Sequence, residues 1–286
     1  MLSVSKKLKI GFLIVLAYLN VLAWIVVFDL AQNNLKVIFF DVGQGDSIFI
    51  ETPRKHQILI DGGPDISVLE RLGENMPFYD RTIDLIVLTH PDHDHMAGLI
   101  EVLKRYDVQN VLWTNVVKDD SEYDQFKKMI EQSNVVTAQF GQRISSGKGF
   151  VMDVIYPFED LAGQEFKNLN NTSIVNKVFF GEHVFLLTGD ASKSIERKLI
   201  EKGIDLRANV LKLGHHGSKT STSKEFIEVV NPEIAIVSCG KNNKYGHPAP
   251  EVLAILNEYG INILRTDELG NIKIISDGQT IKVINH

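Results

Sequence analysis

Cysteine is almost missing: Cys239 is the only one in 286 residues. That excludes an intramolecular disulfide framework and any cysteine-rich zinc module. No proline-, serine- or glutamine-rich tract marks a flexible linker, and no fixed period repeats along the chain. Positive charge is also short, with a formal net charge of −6; residues 1–31 carry +2 through Lys6, Lys7 and Lys9 against Asp29, leaving −8 on the remainder. An acidic body argues against broad electrostatic capture of nucleic acid, although two bound dications would make a site within it locally positive. Apolar residues are plentiful. A hydrophobic content of 44% can bury a substantial core, in one large domain or two small ones.

Leu8 to Phe28 is almost entirely apolar, with Lys6, Lys7 and Lys9 gathered at its N-terminal end. At ~1.5 Å rise per residue the stretch is long enough for a ~30 Å hydrocarbon core, and it lacks a polar face. The lysines place the N-terminus in the cytoplasm and the body outside. Signal-peptide cores are shorter, and Asp29-Leu30-Ala31 is a poor cleavage site, so an uncleaved anchor is expected, with secretion after cleavage as the alternative.

The chemistry gathers at Thr89-His90-Pro91-Asp92-His93-Asp94-His95, directly after the apolar, β-branched run Ile83–Leu88. That run reads as a buried strand, and Pro91 ends regular pairing. Helical spacing returns from Met96 to Tyr106, with Leu99, Val102 and Leu103 on one side. Imidazole nitrogens and carboxylate oxygens suit divalent cations, and alternate residues of an extended loop point the same way. His90 and Asp92 can then share one metal while Asp94 and His95 turn toward a second. A solvated acidic loop is the plain alternative. The spacing H-x-D-x-D-H resembles the metal signature of the metallo-β-lactamase superfamily, usually H-x-H-x-D-H, with Asp92 in place of the second histidine. His93 falls on a spacer position.

Upstream, Lys36–Val42 and Ser47–Glu51 read as a hairpin across Gly43-Gln44-Gly45-Asp46, and Gln57–Ile60 as a strand ending in Asp61-Gly62-Gly63. The stretches Phe40-Asp41-Val42-Gly43-Gln44-Gly45-Asp46-Ser47 and Leu59-Ile60-Asp61-Gly62-Gly63 narrow the resemblance to the metallo-β-lactamase-like domain of the ComEC DNA-uptake family. The resemblance implies that Asp61 braces the metal loop; by residue type alone, Asp46 and Asp61 can equally be turn formers.

Downstream, the long polar loop 157–170 leads into Leu169-Asn170-Asn171-Thr172-Ser173. Many superfamily members carry a third metal histidine near here, and this sequence has none. The resemblance implies that Asn170 or Asn171 approaches the metal through its amide oxygen, with an Asx-turn as the alternative. The hairpin of 173–187 places His183 at an exposed turn and ends in Thr188-Gly189-Asp190. Asp190 is either a helix N-cap or, by resemblance, the ligand bridging two metals. The strand Val210–Leu213 runs into Gly214-His215-His216-Gly217, where His216 is favoured as ligand and His215 as substrate contact. Ser218, Thr220 and Ser221 are helix-capping or phosphate-binding hydroxyls.

After the strand Ile234–Val237, residues 238–248 resemble the family's G-x-x-N-x-Y-G-H-P loop. There His247 is expected to protonate a leaving group or hold the phosphate, and Lys241 to stabilise negative charge or be a plain surface lysine. Cys239 is a buried bystander. Strand ends that repeatedly carry polar residues imply that those ends converge.

The resemblance covers roughly residues 35–285. It implies an α/β (α+β) fold, the four-layer αββα sandwich with two mixed sheets, as residues 32–286 behind a transmembrane anchor at 1–31. It further implies two divalent ions, Zn²⁺ or Mn²⁺, held by His90, Asp92, Asp94, His95, Asp190 and His216. Catalytic duties fall on Asp94, His215, His247 and Lys241. β-Lactam-hydrolysing members typically have histidine at the Asp92 position and often cysteine at the Asp190 position. The extra carboxylates here favour phosphate esters, with DNA the leading substrate, cleaved outside the membrane by a metal-activated water. A cell-surface phosphodiesterase acting on wall or membrane phosphoesters, and an idle binding module, are the alternatives. The channel helices of the ComEC family are absent from this sequence, so transport is not expected. No protein partner is inferred.

Overall fold

The computed structural model describes residues 6–31 and 33–285. Two compact units result, residues 1–34 and 35–286. The first holds one helix, α1 (Lys6–Ala31). Its side chains from Leu8 to Trp24 are exposed and nearly all apolar; those of positions 25–28 lie outside the described residues. Among the described residues no helix is long and apolar enough to cross a membrane. The spanning anchor expected over Leu8–Phe28 is therefore not shown, and the part of it at positions 25–28 lies outside the described side chains.

In the second unit the chain alternates β1 (Leu35–Phe39), β2 (Ile48–Glu51), β3 (Gln57–Ile60), α2 (Ser67–Asn75), β4 (Thr82–Val87), α3 (His93–Leu103), β5 (Asp107–Trp113), α4 (Ser121–Ile130) and β6 (Asn134–Thr137). Then come β7 (Arg143–Gly147), β8 (Phe150–Tyr156), β9 (Val175–Phe180), β10 (His183–Leu187), α5 (Lys193–Glu201), β11 (Val210–Lys212), α6 (Lys224–Val230), β12 (Ile234–Val237), α7 (Pro250–Glu258), β13 (Asn262–Arg265) and α8 (Thr266–Leu269). Finally β14 (Ile272–Ser276) and β15 (Ile281–Asn285) return to the first sheet. One sheet has the order β15-β14-β1-β2-β3-β4-β5-β6 and the other β13-β12-β11-β10-β9-β8-β7. Both are mixed: β3 to β6 run parallel in the first, β10 to β13 in the second, and the rest pair antiparallel.

Alternation along each strand explains the layering. Val37, Phe39, Ile48, Ile50, Ile58 and Ile60 meet Met152, Val178, Phe185 and Leu187 in a core between the sheets. The opposite faces carry Ile38, Phe49, Leu59 and Ile86 against α2, α3 and α4, and Leu186, Leu211 and Ala235 against α5, α6 and α7. This is the αββα sandwich. His183, expected at an exposed turn, is instead buried, and its Nδ1 meets Ser276 Oγ on β14 at 2.7 Å, tying one sheet to the other.

The parallel halves set the site, because their strands all finish at the same edge of the sandwich. Helix α3 begins at His93, not Met96, so Asp94 and His95 lie in its first turn and Asp92 at its N-cap. That turn is fixed by close backbone approach. Gly62 N–H donates to His95 O at 2.7 Å and Gly98 N–H to Gly63 O at 2.9 Å. A Cβ added at Gly98 would come within 1.9 Å of Gly62 O, and the clash is with backbone, which cannot swing away. Gly98→Ala should therefore destabilise the domain by about 1–3 kcal/mol or more. An unchanged urea midpoint would show that α3 is not pressed onto this turn.

Candidate metal centre

Each histidine of the site is held by its Nδ1 edge. His95 Nδ1 meets Asp61 Oδ2 at 2.8 Å, and Asp61 also accepts from Thr89 N (2.8 Å) and Thr89 Oγ1 (2.7 Å). His216 Nδ1 donates to Ser238 O at 2.9 Å, and His90 Nδ1 lies 3.1 Å from Thr89 Oγ1. With Nδ1 occupied, Nε2 presents a lone pair, the arrangement in which metal-binding imidazoles are found. The Nε2 atoms of His90, His95 and His216 are all buried without a hydrogen-bond partner. Buried polar atoms are rarely left so, and three at one place point to an ion.

Carboxylates meet these nitrogens. His90 Nε2 faces Asp92 Oδ2 at 3.4 Å. His95 Nε2 faces Asp190 Oδ1 at 3.4 Å, while His216 Nε2 faces Asp190 Oδ2 at 3.5 Å and Asp94 Oδ2 at 3.3 Å. Asp190 thus addresses two rings with two oxygens. It is not a helix cap, since α5 starts at Lys193 with Ser192 at the N-cap position. Its backbone N–H donates to the buried Ser173 hydroxyl at 3.1 Å, which fixes the turn.

His215 and His216 both sit at positive φ, 49° and 54°, and such strain in non-glycine residues is retained where the surroundings enforce it. The turn drives His216 inward and leaves His215 half-buried at the mouth, its Nδ1 2.9 Å from Thr220 Oγ1 and its Nε2 4.0 Å from Asp190 Oδ2. His247 stands beside them, with ring centroids 5.4 Å from His215 and 6.1 Å from His216. Burial first, then the neighbouring His216 and His215, push His247 down to about 4. At the mouth of the site the ring stands where it can hydrogen-bond a phosphate oxygen or a leaving group.

Three expected residues lie elsewhere. Lys241 is exposed on the loop after β12. Asn171 turns its amide oxygen to the hydroxyls of Ser192 (2.6 Å) and Ser194 (3.2 Å), so it serves the start of α5. Asn170 lies in the same short 3-10 turn, its backbone N–H donating to Asn168 Oδ1 at 3.1 Å as an Asx-turn would have it. His93 is exposed and bound to Glu122.

Two residues escaped sequence reasoning as parts of the site. Asp46 and Lys212 form an ion pair and both are buried. Asp46 falls in a tight group with His95, Asp190 and His216. It nevertheless faces the Nδ1 edges, 3.3 Å from that of His216 and 4.0 Å from that of His95, so it braces the rings from behind. A lysine inside the apolar strand Val210–Leu213 was the available signal.

Electrostatics follow from this packing. Burial would raise Asp190, but His216 and His95 overcome it and hold the carboxyl well below its ordinary range. Burial would raise Asp46 and Asp94 too; Lys212 and His216 hold the first down, and His216 and His95 the second. Conversely, burial would depress the histidines, yet Asp190 and Asp61 lift His95 well above 6.5, and Asp190, Asp46 and Asp94 lift His216 to about 9. Both shifts are upward, so the metal-free fold draws full stability from these pairs below pH 6.5 and loses it as pH rises through about 9. A cation taking the two Nε2 atoms must displace both protons. Loading at pH 7 should release about two protons per chain, read by titration calorimetry in buffers of different ionisation enthalpy. Buffer-independent heats would contradict this.

Residues 40–241 match the family model described as "Metallo-beta-lactamase superfamily". The chain belongs to that superfamily, with the fold and candidate site of a metal-dependent hydrolase. Its curated relatives include ComEC-family competence proteins. It is 30% identical over 265 residues to ComE operon protein 3 of Bacillus subtilis, an alignment covering 86% of this chain and 34% of the relative. It is 32% identical over 243 residues to Competence protein ComA of Neisseria gonorrhoeae, covering 84% and 32%. The chain thus spans about a third of the length of these relatives. Among solved structures, the metallo-beta-lactamase fold protein YhfI of Bacillus subtilis aligns with a TM-score of 0.57 at 12% identity, over 86% of this chain and all of that one. At that identity the likeness is one of fold.

Proposed function

We propose that this domain is a dinuclear phosphodiesterase that cleaves DNA. The observation that carries the reading is the donor set: three carboxylates, Asp92, Asp94 and Asp190, meet three orphaned imidazole nitrogens, with no thiolate among them. Such a hard, anionic set suits Mn²⁺ or Zn²⁺ pairs working on phosphate oxygens. His90, Asp92 and Asp190 would hold one ion, and Asp94, His95, His216 and Asp190 the other. When bound, the pair would supply a water acidic enough to ionise near neutrality and would neutralise phosphate charge. Relatives named as a competence protein and as a recombination protein support DNA as the substrate.

The protein's own groups divide the remaining work. Asp61, Ser238 O and Thr89 fix the tautomers, so the Nε2 lone pairs face inward. Half-buried His215 and His247 line the mouth, where an imidazole N–H can donate to a non-bridging phosphate oxygen. Lys241 would attract phosphate at long range from its exposed loop. The apolar exposed side chains of α1 support placing the domain at a membrane, and the lysines at the N-terminal end of that stretch support its outer side.

The test is hydrolysis by the full chain loaded with Mn²⁺ or Zn²⁺, offered labelled DNA and a small chromogenic phosphodiester. DNA cleavage that disappears on chelation supports the reading. Activity on the small ester alone would shift the assignment to wall or membrane phosphoesters, which the acidic body also suits. Inertness toward both in a metal-loaded protein would remove phosphoesters altogether.

A further inference from the structure

Beside the metal residues a ladder of rings leads outward to solvent. Its inner rung is His216, its next are His215 and His247, and its outermost is Tyr245. The Tyr245 ring stacks on His247 with centroids 5.7 Å apart and an interplanar angle of 22°, yet it remains 58% exposed. A large exposed ring supported by a histidine is unusual beside a polar site, and the backbone of its loop is fixed by hydrogen bonds. Asn243 Nδ2 donates to Gly240 O (3.0 Å) and His247 O (2.6 Å), while Asn243 Oδ1 accepts from Tyr245 N (3.2 Å) and His247 N (2.9 Å). The loop is pinned at both ends by close approach: a Cβ at Gly240 would lie 2.7 Å from Gln44 N, and one at Gly217 2.8 Å from Pro248.

We propose that Tyr245 is the stacking platform for an unpaired nucleobase next to the phosphodiester at the metal centre. This rests on the phosphodiesterase reading and narrows it to strands whose bases are free to unstack. The geometry has three parts. Stacking requires an open aromatic face, and a pre-set ring binds a base without losing its own freedom. Lys244 Nζ lies over the Tyr245 ring, 5.2 Å from its centroid, on a flexible exposed side chain that a stacking base would displace, and Lys219 and Lys241 are exposed on the adjoining loops, so cations surround the ring as they do in single-strand grooves. Finally, His247 links Tyr245 directly to His215 and His216, so a base on the outer face is carried by the same loop that lines the reacting position. Paired bases in a duplex offer no free face, so the platform selects single strands or frayed ends.

The experiment uses the full chain in EDTA, so that binding is read without cleavage. The probes are a short single-stranded oligonucleotide carrying 2-aminopurine and its abasic counterpart. The wild type should quench the 2-aminopurine and bind the abasic strand about ten-fold more weakly. Tyr245→Ala should raise Kd for the intact strand about ten-fold, abolish the quenching and reduce the base preference to roughly one, whereas Tyr245→Phe and Tyr245→Trp should keep all three. A wild type that binds and, with metal, cleaves DNA while Tyr245→Ala keeps its base preference overturns the platform and leaves the phosphodiesterase standing. A metal-loaded wild type that neither binds nor cleaves the strand removes the reading on DNA, and the platform with it.

Discussion

Asp190→Ala is expected to lower metal-dependent hydrolysis by roughly 10³-fold, the several kcal/mol that paired metals contribute to a transition state. The reason is the position of one side chain. Asp190 is buried, with Oδ1 3.4 Å from His95 Nε2 and Oδ2 3.5 Å from His216 Nε2. No other carboxylate of the site meets both Nε2 atoms. Its loss also removes the strongest charge that lifts each histidine against burial, so the rings would face each other without a shared counter-charge. Metal content by mass spectrometry should fall together with the rate, while the far-ultraviolet circular dichroism holds. A variant with wild-type metal content and a rate within ten-fold of wild type would take Asp190 out of the centre.

Much of this site is legible along the chain because its donors are local. His90, Asp92, Asp94 and His95 lie within one strand-to-helix connection, and the Gly-flanked His215-His216 pair cannot form a helical face. Parallel strands then make convergence follow from topology. Asp94 and His95 lie in a helical turn instead of an extended loop, because Pro91 precedes α3 without delaying it beyond Asp92. What stayed hidden is non-local or weakly patterned. The short helix α2 buries only Val68 and Leu72, and β7 reads Arg-Ile-Ser-Ser-Gly, polar enough to pass for loop. His183 sits at the start of a hairpin strand, as exposed residues do, and only the partner sheet's Ser276 explains its burial. Asn171 carries the right chemistry for a metal but is nearer to α5, and proximity in sequence to the motif could not separate the two.

The Asp46–Lys212 pair is the clearest case, and it supports the second large effect. Lys212 is wholly buried on β11, paired with Asp46 from the β1–β2 loop, with Nζ also 3.4 Å from Gly189 O beside the Asp190 turn. It joins the two sheets under the metal ligands. Breaking a buried pair leaves a charge without its partner in a medium that solvates it poorly, which typically costs about 3–5 kcal/mol, whereas neutralising both partners is far milder. Lys212→Met should therefore cost the metal-free protein about 3–5 kcal/mol in urea unfolding, and adding Asp46→Asn should return a large part of it. The coupling has a functional consequence. Asp46 N–H donates to Asp94 O at 3.2 Å, and Asp46 Oδ1 is 3.3 Å from His216 Nδ1, so a displaced Asp46 moves two ligands at once. Metal affinity of Lys212→Met should drop about 10–100-fold, the range seen when the partners behind metal ligands are removed. If Lys212→Met unfolds at the wild-type urea concentration, the pair is no more than tolerated, and the bracing of His216 must come from Ser238 alone.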